Sequence, residues 1–384
     1  MASERVVIVG GGVIGTMHAL EACRRGWEVL HLEADAAPRR ASVRNFGLVW
    51  VSGRAAGAEL ELALRARDLW EQLEQEAPDI GFRPDGSLTV ATEPEELALM
   101  AEAAERSDAA ARGLELVDAT GLRTLNPVIK GHQIGGLWCR KDAVVEPGSV
   151  LAALRATLDA TGRYRWMPGR QAVDVSGSCG VGSDGSGATV IDHLGGRHHG
   201  TLAVLCIGDR LSGLGGRVGT ALAVAPLRRC RLQMMQTEPT AERVATAIAD
   251  GDSMRYYPAF DLPGREHLAP ARPETLRWGM QLLLVQRSNG GLTIGDTHVY
   301  DEPFDFAVDE SLYDRLRVRA ESILGWELPP VVRRWSGVYS ATTDDRICWS
   351  EPIDPSVRVV TGPAGRGMTL APAIAEQTWD EVAG

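Results

Sequence analysis

Three glycines near the N-terminus constrain this chain more than any other feature. Gly10, Gly12 and Gly15 follow an apolar run, Val6, Val7, Ile8 and Val9, at G-x-G-x-x-G spacing. An apolar-periodic segment comes next, then a second apolar run ending in Glu33. This order predicts the strand, turn, helix and strand of a dinucleotide-binding unit. Gly10 permits the tight turn, Gly12 lets the backbone approach a pyrophosphate, and Gly15 lets the helix pack close to the strand. Val13 and Ile14 lie between these glycines, where the helix N-terminus offers free N–H groups to phosphate. Glu33 stands where a ribose-hydroxyl acceptor is required.

The bulk properties suit an enzyme. The chain has 384 residues, enough for two domains with sizeable cores. Its net charge of −11 argues against nonspecific nucleic-acid binding. No stretch approaches the roughly 20 apolar residues of a membrane span. The first apolar run lacks a basic start and a cleavage-like site, so a cytoplasmic protein is expected. Cys23, Cys139, Cys179, Cys206, Cys230 and Cys348 form no C-x-x-C pair and match no zinc spacing, so no metal site is expected.

After Glu33 runs the loop ADAAPRRASVRNFGLVW. Its residues Ala34, Arg40, Ala41, Ser42, Arg44, Asn45, Phe46 and Gly47 are expected to lie over a bound nucleotide. Amphipathic spacing predicts a helix over residues 59–76. A strand is expected over 87–91, a helix from Pro94 to about Arg112, and a short helix over 118–126. A strand over 135–139 and a helix opened by Glu146-Pro147 come next. Strand-like alternation fills 163–176, a Gly/Ser-rich hairpin or loop 177–187, and strands 189–192 and 202–207. The last of these ends in Ile207 and Gly208. From Ala221 the character changes. Residues 228–236, 276–285 and 291–295 read as long strands without intervening helices, a mostly antiparallel sheet. A helix over 311–324, a Ser/Thr-rich strand or turn region over 335–349 and a final strand over 357–361 follow. Then come Gly365, Arg366, Gly367 and Met368, and a helix from about Thr369.

These residues carry a resemblance. The chain resembles the FAD-dependent amine oxidoreductases that include D-amino-acid oxidase, glycine oxidase and sarcosine oxidase. The likeness covers nearly the whole length. It rests on GGGVIG with Glu33, the Glu146-Pro147 helix entry, AVLCIGDRL, WSGVYSATTDD and VVTGPAGRGMTLAP. ASVRNFGLVW and LTIGDTHVY are similar to a subgroup linked to phosphonate catabolism.

The resemblance implies an α/β fold. A glutathione-reductase-type, Rossmann-like FAD-binding domain (1–82, 143–220 and 331–384) would carry an inserted α+β, mostly antiparallel substrate domain (83–142 and 221–330). It implies that the C-terminal glycine loop faces the flavin ring, with the following helix pointing its N-terminus at the flavin O2 side. It also implies that the backbone of Val173 meets the adenine. The implied reaction is oxidation of the C–N bond of a small amine by hydride transfer to flavin N5, giving an imine that hydrolyses to an aldehyde. The substrate would be an aminoalkylphosphonate or its N-methyl form. The alternative is a small amino acid or N-methyl amino acid. The electron acceptor, O2 or another, stays open: Lys130 and Lys141, the only lysines, fall outside the predicted barrel strands. An NAD(P)-dependent dehydrogenase is disfavoured by the C-terminal glycine loop, and a non-enzymatic FAD-binding protein has little support.

Two departures from the family pattern stand out. Gly337 occupies the position where sarcosine oxidases attach FAD through cysteine, so noncovalent FAD is expected. Tyr339 replaces the arginine with which glycine oxidase pairs a substrate carboxylate, and a phenol cannot form that bidentate clamp. Arg44, Asn45, Tyr257, His298 and Tyr339 are therefore the candidate substrate residues. Arg44 reads equally as an FAD or loop contact. His298 reads equally as a satisfied strand histidine, and Asp296 as a turn cap. Tyr256 and Tyr257 alternate in what looks like a strand, so one of them at most should face the site.

Overall fold

The computed structural model describes residues 4–178 and 187–383. Its first layer is a six-stranded sheet in the order Trp349–Asp354, Val357–Thr361, Leu202–Leu205, Arg5–Val9, Glu28–Leu32, Tyr164–Met167. All neighbours run parallel except the first pair. The N-terminal strand is central and almost wholly buried, as its unbroken Val/Ile run requires of a parallel strand covered on both faces. The helix Val13–Arg24 crosses back and packs on the C-terminal helix Gly367–Ala383, which in turn packs on Ala58–Glu76. Two buried indoles pin this layer. Trp379 donates to the carbonyl of His18 at 3.0 Å, and Trp70 donates to that of Met368 at 3.1 Å.

The second large sheet has eight strands: Val331–Thr342, Leu227–Pro239, Gly291–Gly295, Leu283–Gln286, Ala247–Ala249, Ser87–Ala91, Gly135–Cys139 and Leu114–Asp118. It is antiparallel apart from the pair Ala247–Ala249 and Ser87–Ala91. The helix Glu310–Leu324 packs on it. Strand Val331–Thr342 pairs with Leu227–Thr237 nearly throughout, so it belongs to this sheet by hydrogen bonding.

Several expected elements take a different form. The helix expected from Pro94 to Arg112 breaks into Pro94–Ala104 and Ala109–Arg112. Asp108 stabilises the break: its carboxylate takes Arg106 at 2.8 Å and Arg112 at 2.9 Å, and Ser107-Asp108 favours a turn over a helix interior. Leu114–Asp118 is a strand that the sequence pattern did not predict. Residues 276–285 are not one strand. Pro273 starts a short helix to Trp278, Gly279 at φ +54° ends it, and only Leu283–Gln286 is extended. Helical turns also interrupt 253–267, so the sheet region is not helix-free. The alternation over 163–176 resolves into Tyr164–Met167 and Ala172–Ser178, which join different sheets. Most of the hairpin or loop expected over 177–187 lies outside the described residues, as does Cys179. The other five cysteines are free thiols, four of them buried. No described helix is long and apolar enough to cross a membrane.

Candidate active site

One cavity of about 480 Å³ runs between the two large sheets. Its first end is built by the N-terminal motif. Gly10 sits at φ +103°, and a Cβ on Gly15 would fall 1.9 Å from the Gly10 carbonyl oxygen. Only glycine allows that helix–strand approach. Gly10, Gly12, Val13 and Ile14 line the cavity, whereas Gly15 supports it from behind. Helix Val13–Arg24 starts at Gly12 without capping by its own N-cap side chain; Ser42 Oγ accepts from Val13 N–H at 2.9 Å. Glu33 Oε2 accepts from Gly11 N–H at 2.6 Å and Oε1 from Asp35 N–H at 2.9 Å. These bonds fix an acidic acceptor on the cavity wall. Beneath it His31 bonds the Gly10 carbonyl at 2.9 Å and the Tyr164 hydroxyl at 2.9 Å, and burial lowers its pKa to about 4.

The loop after Glu33 forms the middle of the wall. Ala34, Arg40, Ala41, Ser42, Arg44, Asn45 and Phe46 all line the cavity. Arg40 pairs with Asp209 at 3.0 Å. Arg44 donates to the Ser336 carbonyl at 2.9 Å, while Trp335 Nε1 donates to the Arg44 carbonyl at 3.3 Å. Asn45 donates to Ala41 and accepts from Gly47 N–H, so both ends of its amide hold the loop itself. Gly47 is not on the wall: its α-carbon packs against Val145, where a Cβ would lie 2.1 Å from a carbonyl oxygen. Val173 is not on the wall either. Its carbonyl accepts from Gly215, and its neighbour Ala172 faces the cavity in its place.

At the far end, Ile207, Gly208, Gly337, Gly365, Arg366, Gly367 and Met368 line the wall. Thr369 does not: its hydroxyl accepts from Trp50 N–H at 2.9 Å and donates to the Leu48 carbonyl at 3.1 Å. The turn Ala364–Arg366 leads directly into helix Gly367–Ala383, so a second helix N-terminus meets the cavity. Glu59 stands between two arginines that also line it, with Oε1 3.6 Å from Arg54 Nη1 and Oε2 3.4 Å from Arg366 Nη1. Asp142 holds the Arg54 loop. Its buried carboxylate accepts Val51 N–H at 2.5 Å, Ser52 N–H at 3.0 Å, and the hydroxyls of Ser52 and Ser87 at 2.6 Å each.

An aromatic pocket adjoins this end. Tyr339 and Tyr256 hydroxyls lie 3.4 Å apart. A Cβ at Gly365 would sit 3.8 Å from the Tyr339 hydroxyl. Tyr256 meets Tyr257 edge-on at 5.2 Å and stacks on His298 at 4.2 Å. Trp50 lies 5.7 Å from Tyr257. Burial pushes all three tyrosine pKa values upward, so the phenols stay protonated. Both Tyr256 and Tyr257 line the cavity, against the expectation of one. The reason is local: Ser253–Tyr256 is a helical turn, so strand alternation does not apply. His298 Nδ1 bonds the Gly279 carbonyl at 3.0 Å, and its Nε2 lies 3.7 Å from Asp296.

Sequence reasoning missed Arg54, Glu59 and Gln281, and it read Asp296 as a turn cap. Arg54 and Glu59 lie close in sequence, at the entry of helix Ala58–Glu76, which is a weak signal for an ion pair. Gln281 and Asp296 are brought together by exchanged backbone bonds, Gln281 N–H to Asp296 O at 3.1 Å and the reverse at 2.9 Å, contacts that no local pattern announces.

The cavity fits an elongated dinucleotide cofactor. It joins a glycine-walled helix N-terminus and an acidic acceptor at one end to a second glycine loop and helix N-terminus at the other. No group of His, Cys, Asp and Glu among the described residues is arranged to hold a metal ion. Comparison with known proteins agrees with this geometry. The family described as "DAO: FAD dependent oxidoreductase" matches residues 5–380. Glycine oxidase from Geobacillus kaustophilus superposes with a TM-score of 0.77 at 19% identity, over 99% of this chain and 95% of that one. Among curated relatives, the mitochondrial pyruvate dehydrogenase phosphatase regulatory subunit of Mus musculus is 26% identical over 163 residues, 42% of this chain and 19% of that protein. A subunit of the opine oxidase of Rhizobium meliloti is 27% identical over 169 residues, 41% of this chain and 45% of that protein. The matches thus span less than half the length of these curated relatives.

Proposed function

The chain belongs to the DAO family of FAD-dependent oxidoreductases, and from that premise we propose that it oxidises the C–N bond of a small amine, with FAD held noncovalently. One observation carries this reading: a single cavity joins the dinucleotide cradle to a pocket of phenols beside the second glycine loop. When bound, the flavin supplies the two-electron acceptor chemistry that side chains lack.

The residues do the rest. Gly10, Gly12 and the start of helix Val13–Arg24 receive the pyrophosphate, and Glu33 accepts from the ribose. Arg54 and Arg366, held by Glu59, give the ring end a net positive charge. Phe46, Trp50, Leu232, Met234 and Leu283 keep water from the pocket and orient the substrate carbon. Noncovalent attachment is supported by Gly337, which offers no nucleophile. Cys206, which lines the cavity, is a thiol whose pKa burial raises. The chain divides accordingly into a cofactor part (1–82, 143–220 and 331–384) and a substrate part (83–142 and 221–330), with strand Val331–Thr342 bonded into the sheet of the latter.

For the substrate's second polar group, an aminoalkylphosphonate is the reading carried over from the resemblance. It is supported by Tyr339 in place of the arginine and by Arg44, which has no carboxylate partner among the described residues. Small amino acids and N-methyl amino acids are the second reading, favoured by the likeness to glycine oxidase and opine oxidase. Anaerobic titration of the yellow holoprotein tests both. Bleaching of the flavin band by aminomethylphosphonates and not by glycine or sarcosine supports the first, and the converse supports the second. A colourless protein that takes up no FAD overturns the proposal as a whole.

A further inference from the structure

Two side chains at the tyrosine-lined end of the cavity, Asp296 and Gln281, present acceptors with little to accept, and His298 lies beside them. Asp296 is 4% exposed, and its ion-pair partner among the described residues is His298, 3.7 Å away. His298 Nδ1 bonds a carbonyl, the Gly279 oxygen, so Nδ1 carries the proton. Its Nε2 faces the Asp296 carboxylate from beyond hydrogen-bond distance. Gln281, 1% exposed, donates to Asp296 Oδ1 across a long 3.4 Å, and its own Oε1 has no partner. All three residues line the cavity. Buried acceptors without donors cost free energy until a donor arrives.

A group that carries several N–H donors and a positive charge answers both. We propose that this end of the cavity binds the substrate's amino group as an ammonium, with Asp296 as counter-charge and Gln281 Oε1 as a further acceptor. The Tyr256 ring, stacked on His298, adds a π-face to the cation's surroundings. The same arrangement repels a carboxylate or phosphonate, so an anionic tail must turn the other way. His298, expected from sequence to hold an anion, stands instead beside this carboxylate. This inference rests on the amine-oxidation reading and specifies how that site selects its substrate.

The test uses the FAD-loaded protein and two probes of one shape and opposite charge, tert-butylammonium and pivalate. Neither has a hydrogen on the carbon that would be oxidised. Binding is read by calorimetry and by perturbation of the flavin spectrum. The wild type is expected to bind tert-butylammonium in preference to pivalate. Asp296→Asn should weaken tert-butylammonium about tenfold or more and leave pivalate unweakened. If Asp296→Asn fails to fold, Gln281→Leu should weaken the cation several-fold on the same readout. Preference for pivalate in the wild type, or wild-type cation affinity in whichever variant folds, overturns the ammonium pocket. Anaerobic bleaching by oxidisable amines reads the functional proposal separately. Cation binding with no amine-driven bleaching would sink that proposal and leave the pocket standing.

Discussion

The hydroxyl of Tyr339 lies 3.4 Å from that of Tyr256, although 83 residues separate them in the chain. Tyr339 comes from the long strand Val331–Thr342 and Tyr256 from a helical turn. Both phenols are kept protonated by burial, so they act as hydrogen-bond donors and as ring surface, not as bases. Tyr339→Phe should therefore leave FAD content unchanged and raise the amine concentration needed for half-reduction several-fold, about 0.5–1.5 kcal/mol for one neutral hydrogen bond. Stopped-flow reduction under anaerobic conditions measures this. An unchanged half-reduction concentration would place the Tyr339 hydroxyl outside substrate contact.

Glu33 is bonded by two backbone N–H groups and cannot swing away from the cavity wall. Glu33→Ala should lower FAD affinity about tenfold to a hundredfold, the 1.5–3 kcal/mol of a charged hydrogen-bond acceptor. Flavin retained after ultrafiltration reports the loss. Full retention would remove Glu33 from the cofactor site.

Gly15 is fixed by a steric fact. Its missing Cβ would lie 1.9 Å from the Gly10 carbonyl oxygen, which is backbone and cannot step aside. Gly15→Ala should destabilise the fold by about 1–3 kcal/mol or more, as overpacking does, and should also cost FAD. Thermal unfolding of the apoprotein checks the first effect without the second.

His31 gives the protein an acid limit. Burial lowers its pKa from 6.5 to about 4, while the unfolded chain keeps the ordinary value. Between these pH values the unfolded state binds more protons, so stability is intact above pH 6.5 and falls as pH drops toward 4. The loss from this residue is about 3 kcal/mol at 1.36 kcal/mol per unit. His31→Gln should flatten that part of the stability–pH curve. A slope identical to wild type across this window would contradict the assignment.

Asp142 is the anchor of the Arg54 loop. Removing its carboxylate leaves two buried N–H groups and two hydroxyls without their acceptor. Asp142→Ala should cost about 3–5 kcal/mol by chemical denaturation. Where the variant still folds, its reduction by amines should be slower because Arg54 and Glu59 lose their support. Wild-type stability would mean that the loop is held elsewhere.

Much of one end of the cavity wall was legible before folding. The glycine spacing, Glu33 and the loop from Gly365 to Met368 are local requirements: each asks for a residue type at a fixed offset from a strand end. Gly47, Val173 and Thr369, also expected at the cofactor, stand off the cavity wall, because position beside a motif does not set the direction a backbone group faces. The substrate pocket was less legible. Its helical turn at Tyr256 was read as strand from two adjacent tyrosines, a pattern too short to carry a period.

The family resemblance implied the class of chemistry; by itself the local sequence determined the tight turn and helix start at Gly10–Gly15 and the acid at Glu33. That followed from backbone sterics acting over a few residues. Only the tertiary structure decided what lines the far end of the cavity: Tyr256 against Tyr339, Glu59 between Arg54 and Arg366, Gln281 beside Asp296. Most of these contacts join segments distant in sequence, and no local pattern encodes them. They exist because burial between two sheets brings polar groups to one place and leaves them to satisfy one another, or a ligand.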